Sequence, residues 1–232
     1  MTGPNGSQSR PPVVPATIRV RDEGADLPHT SSPVLPGLAH LTRALAGAAH
    51  LPGTPGVLVT LDPTLKADAV AGVDACTHTP RIILGTDLLH QENPDQLTMV
   101  VAHEIAHHVL DHDAEPGARV WSTLTSALFL LSLGALFLAA PRWIVVAATD
   151  AALAVHLIGR LAATRASRRQ ELAADAHAVR LLDAIGRNGR ATLTACLATL
   201  PAASRWHRLI GWMLDSHPSP AMRLRHLATD HR

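Results

Sequence analysis

The apolar positions of this chain follow different rhythms, and each rhythm predicts a different kind of element. In VLVTL at 57–61 and RIILG at 81–85 the apolar residues are β-branched, few and bounded by turn residues, which predicts two short strands. VDACT at 73–77 offers a third, so a small sheet of about three strands is expected. Helical spacing holds from Leu38 to Leu51 and stops at the Pro52, Gly53, Pro55, Gly56 cluster. It resumes after Asn93, which can cap, with Pro94 suited to the first helical position and Gln96 in capping-box register. Leu97, Val100, Val101 and Ile105 then form an inward stripe. A later helix is predicted over 170–185 from Leu172, Val179, Leu182 and Ile185, with Gly186 as its stop. Shorter helices follow at 191–200, about 205–214 and about 220–229.

Elsewhere the apolar residues run together without a period. Residues 121–140, WSTLTSALFLLSLGALFLAA, carry no charge and match the ~20 apolar residues a helix needs to cross the hydrocarbon core. Beyond Pro141 and Arg142 comes a weaker span, 143–159, interrupted by Asp150 and His156. Together they predict a transmembrane helical hairpin over 119–160. Arg119 on one flank and Arg160, Arg165, Arg168 and Arg169 on the other outweigh the single Arg142 at the turn. Both flanks are therefore expected in the cytoplasm, as in a multi-pass protein of the cell membrane. Asp150 speaks for the opposite case, a hairpin buried in protein, because a mid-span carboxylate costs about 2.5–3.5 kcal/mol on insertion scales. Residues 1–36 hold seven of the 17 prolines, lack the apolar core of a signal peptide, and are expected to form a disordered tail.

Composition removes several alternatives. Twenty basic against 19 acidic residues leave no single-sign field, so no nucleic-acid partner is expected. Cys76 and Cys196 stand apart and supply neither a disulfide framework nor a zinc ribbon. Histidine is abundant, with 15 in the chain, and four fall within VVAHEIAHHVLDHD at 100–113.

That segment contains H-E-x-x-H as His103, Glu104 and His107. On a helix the two histidines sit one turn apart on one face, so both imidazoles can reach a single ion. Glu104 stands where a carboxylate can take a proton from a water that the ion activates. A catalytic zinc wants a third protein ligand and one open position. Asp111 shares the face but lies about 6 Å beyond His107 along the axis, too far for a ligand bond near 2 Å. His108 and His112 are read as helix-surface or supporting residues, and Asp111 and Asp113 as support. On the helix after the hairpin, Glu171 and Asp175 form an E-x-x-x-D pair on one face. This suits one carboxylate as ligand and the other as acceptor for the far nitrogen of a ligand histidine.

Three segments, VVAHEIAHHVLDHD, RRQELAADAHAVRLL and SHPSPAMRLRHL, occur in that order with the hydrophobic spans between the first two. They resemble the membrane gluzincin proteases of the HtpX and CAAX prenyl protease kind, over about Val57 to Leu227. The resemblance implies a mainly α fold with a small β-sheet (α+β), a metalloprotease domain interrupted by the transmembrane hairpin. Its N-terminal part would be 37–118 and its C-terminal helical part 161–232. The resemblance also implies one Zn2+ per chain on His103, His107 and Glu171, Glu104 as general base, and Asp175 behind a ligand histidine. His217 and Arg223 become neighbours of the site, facing substrate or oxyanion. The RIILG strand would lead into the zinc helix, and the segment before it would form an edge that pairs with peptide. The chain departs from the pattern in showing a polar tail where a further hydrophobic hairpin is usual, and Asp74-Ala75 where Asn-Ala is common. The expected function is a membrane-anchored zinc endopeptidase acting on polypeptides. The alternative is a gluzincin-shaped membrane sensor or signalling protein with little general turnover. Nothing in the sequence sets the oligomeric state.

Overall fold

The computed structural model describes residues 16–20, 34–51, 57–66, 68–76, 78–90, 93–112, 116–137, 141–200 and 217–229. The helix expected at about 205–214 and Asp113 lie outside the described residues. Two compact units are formed, one by the chain up to Asp111 together with Ala174–Thr199, the other by His112–Ala173 and the residues from Leu200 onward.

The first unit is built on a four-stranded sheet. Its strands are β1 (Ala16–Val20), β2 (Val57–Asp62), β3 (Ala69–Val73) and β4 (Pro80–Gly85), in the spatial order β1-β2-β4-β3. β1, β2 and β4 run parallel, and β3 returns antiparallel against β4. Two of the expected strands stand where the apolar pattern put them. The third is shifted: Ala69–Val73 forms the strand, while Asp74–Cys76 turns the chain toward β4. Asp74 organises that turn by accepting from the Cys76 amide at 3.1 Å and the His78 amide at 2.8 Å. β1 is a correction, because it lies within the proline-rich stretch expected to stay outside the fold. Its backbone takes up the edge of β2 from Val57 to Leu61, which would otherwise be left unpaired.

Val57, Val59, Leu61, Ile82 and Leu84 fill the buried face of the sheet. Helix α1 (Val34–Ala48) contributes Leu38, Leu41 and Leu45 to the same core. Gly85 ends β4 where the Lys66 backbone passes so close that any side chain would collide with it. Helix α2 (Pro94–Val109) follows. Asn93 caps it by accepting from the Asp95 amide at 2.9 Å, and Pro94 occupies the first turn. Gln96 does not complete a capping box; its side chain is buried and accepts instead from the Thr199 hydroxyl at 3.3 Å. Met99, Val101, Ala102, Ile105 and Ala106 are the deeply buried face of α2, with the two alanines letting neighbours approach its axis. Helix α5 (Gly189–Thr199) packs along α2 through Leu193 and Leu197.

The second unit holds helix α3 (Pro116–Phe137), the greater part of helix α4 (Arg142–Ala184) and helix α6 (Pro220–Thr229). α3 and α4 form a hairpin. Trp121 near the start of α3 packs on Gly159, while Ser132 and Leu133 share a cleft of about 690 Å³ with Val145 and Thr149. The outer surface is apolar: Phe129, Leu130, Leu131, Trp143, Val146, Leu153 and Ile158 are exposed. Among the described residues α4 is the helix whose length and composition suit a membrane crossing, with a window of mean hydropathy 1.6 of which 6% is buried.

α4 is also longer than the sequence pattern suggested. The second span and the helix expected at 170–185 are one uninterrupted 43-residue helix, about 65 Å long. It stops at Gly186, whose φ of 78° is left-handed. The Gly186 amide bonds the Asp183 carbonyl and the Arg187 amide bonds the Leu182 carbonyl, a Schellman ending.

Candidate active site

α2 presents His103 and His107 one turn apart, with ring planes at 81° and centroids 4.7 Å apart. Their Nε2 atoms approach to 3.1 Å. The Nδ1 of His103 lies 3.1 Å from the Asp175 carboxylate on α4. A carboxylate only accepts, so Nδ1 carries a proton, and in the neutral ring Nε2 then keeps its lone pair. Asp175 is 1% exposed, and this contact gives its buried charge a donor.

Glu171 stands one turn before Asp175 on the same face of the continuous α4, and its side chain is buried. The donor atoms of His103, His107 and Glu171 lie within 4.8 Å of one another. Two nitrogens held at 2.0–2.1 Å by one tetrahedral zinc would be about 3.3 Å apart, and the observed separation of the two Nε2 atoms is close to that. Two neutral imidazoles and one carboxylate are also the donor types zinc takes in hydrolytic sites. The residues therefore fit the ion that the sequence pattern implied.

Glu171 has a second partner. The Nδ1 of His217 donates to its Oε2 at 3.1 Å, from an imidazole 70% exposed to solvent. Arg223 is half-buried in the first turn of α6. Glu104, next to His103 on α2, is buried. Asp111 is exposed and has a left-handed φ of 51° just past the end of α2, so it takes no part in the cluster.

One role was not legible beforehand. His108, read from the sequence as a supporting residue, bonds the Arg81 carbonyl of β4 at 3.0 Å through Nε2. The Arg81 side chain in turn bonds the Thr60 hydroxyl on β2 at 3.2 Å. The helix carrying the histidines is thus tied to β4 by the residue beside His107, at a position where β4 is also bonded to β2 through side chains. Histidine density was the available signal, but a partner 27 residues away cannot be read from spacing.

A family model described as Peptidase family M48 matches residues 36–230. Among solved structures, the crystal structure of Ste24p from S. mikatae is similar, with 21% sequence identity and a TM-score of 0.48. The similarity covers 81% of this chain and 49% of that one, so the chain spans about half the length of that protein. No curated protein matches.

Proposed function

The chain belongs to peptidase family M48, and from that premise we propose that it is a zinc-dependent endopeptidase anchored in a membrane, hydrolysing peptide bonds of membrane or misfolded proteins. His103, His107 and Glu171 would hold one Zn2+. Held there, zinc would supply Lewis-acid polarisation of the scissile carbonyl and would acidify a water for attack. Glu104 takes the proton of the attacking water on its carboxylate and passes it to the leaving nitrogen. Asp175 fixes the tautomer of His103 and the direction in which its Nε2 points. Arg223, or His217 through Nε2 when its ring is protonated, donates to the carbonyl oxygen as negative charge develops on it. The arginines from Arg160 to Arg169 keep the catalytic residues on the cytoplasmic side of the bilayer.

The observation that supports this reading best is the convergence of His103, His107 and Glu171, with Asp175 behind the first of them. The test pairs two variants in detergent with an unfolded protein such as casein. Glu104→Gln is expected to keep its zinc and lose hydrolysis by at least ~100-fold, while Glu171→Ala loses both. Full hydrolysis by Glu104→Gln, or unchanged zinc in Glu171→Ala, would sink the assignment.

A further inference from the structure

α4 is a single helix from Arg142 to Ala184, so the height of Glu171 above the bilayer follows from counting residues. The apolar surface of the helix runs through the exposed Leu153, Leu157 and Ile158, and Arg160 is the first charge beyond it. From Arg160 to Glu171 the rise is about 17 Å at 1.5 Å per residue. A tilt of ~20° reduces this only to about 16 Å. Glu171 is itself buried, and the His217 imidazole that covers its Oε2 is 70% exposed, so solvent lies just beyond that ring. A peptide therefore reaches the carboxylate from solvent and not through the apolar surface. An extended chain climbs about 3.3 Å per residue, so about five residues are needed to cover the height.

We propose that α4 acts as a ruler: the enzyme cuts membrane proteins at bonds about five or more residues outside their own transmembrane segment and spares bonds closer to the bilayer. The inference rests on the membrane-anchored peptidase reading above and adds to it a cleavage position. It also predicts that moving the membrane boundary along α4 moves the cut. Leu161 to Thr164 carry no charge, so Arg160→Leu lets the bilayer edge shift to Arg165. Glu171 then comes about 7.5 Å nearer, which corresponds to about two residues of substrate.

The experiment reconstitutes the full chain in lipid nanodiscs with single-span substrates. Each substrate has a cleavable sequence placed two, four, six, ten or fifteen residues from its span. The two-residue substrate should stay intact, cleavage should begin between four and six residues, and mass spectrometry should locate the first cut bond there. Arg160→Leu should move the first cut bond about two residues toward the membrane. Its hydrolysis of casein in detergent should match wild type. Equal cleavage at all spacings, or no cleavage of any single-span substrate by a chain that cuts casein, overturns the ruler while leaving the peptidase reading standing. Failure to cut casein removes the peptidase reading and the ruler with it.

Discussion

His103 has two nitrogens with opposite duties, and the chemistry of the site depends on keeping them apart. Nδ1 is committed to Asp175, which leaves Nε2 to face His107. Replacing that carboxylate removes the charge that fixes the tautomer and that would raise the basicity of Nε2, the atom proposed to bind zinc. Asp175→Asn is therefore expected to weaken zinc binding by about 10–100-fold, measured by competition with a chromophoric chelator on protein whose helix content is unchanged. His177, two residues further along α4, behaves differently. Burial and then the nearby Arg180, whose guanidinium approaches Nδ1 to 3.1 Å, lower its pKa below the ordinary 6.5. Because the folded form resists protonation while the unfolded form accepts it near the usual value, the folded state loses stability as pH falls below about 6.5. His177→Gln should flatten that part of the profile, seen as a smaller drop in melting temperature between pH 7 and pH 5.5. The Asp175 pair was expected as a pair, because E-x-x-x-D puts both carboxylates on one helix face. Which histidine Asp175 holds is a distance across helices that periodicity does not encode.

The punctuated helices were well marked in the sequence. Asn93 and Pro94 start α2, and Gly186 ends α4, because caps are local chemistry. Gly186 allows a sharp test: no atom lies within 4 Å of where a methyl group would go, so Gly186→Ala meets only the backbone cost of its left-handed φ. A loss of about 1 kcal/mol is expected, measured by denaturant or thermal unfolding in detergent. Three features were not legible. β1 comes from a stretch whose proline content argued against structure, and it is held by backbone pairing to β2, which depends on what edge is available. The Gln96 side chain left its local capping role for Thr199, 103 residues away. The unity of α4 was hidden by its change of character: an apolar first half and a charged second half suggest two elements, although nothing at residues 160–169 breaks a helix.

For the whole molecule, the exposed apolar face of the α3–α4 hairpin dominates. Phe129, Leu130, Leu131 and Trp143 are between 63% and 72% exposed, a surface that water would not favour and that lipid tails would accept. The protein is accordingly expected to stay in the pellet after alkaline carbonate washing of membranes; release into the supernatant would count against insertion and against the ruler together. The hairpin was the plainest feature of the sequence, since lack of charge over 20 positions needs no long-range information. The candidate metal site was the opposite case. Its histidines are local, but the carboxylate that holds His103 comes 72 residues later. Because a ribosome adds roughly 5–20 residues per second, the histidines exist for roughly 4–14 s before that carboxylate has been made. For that interval a nascent chain carries the two histidines of α2 without the carboxylates of α4, and the site can be assembled only after α3 and most of α4 have been made.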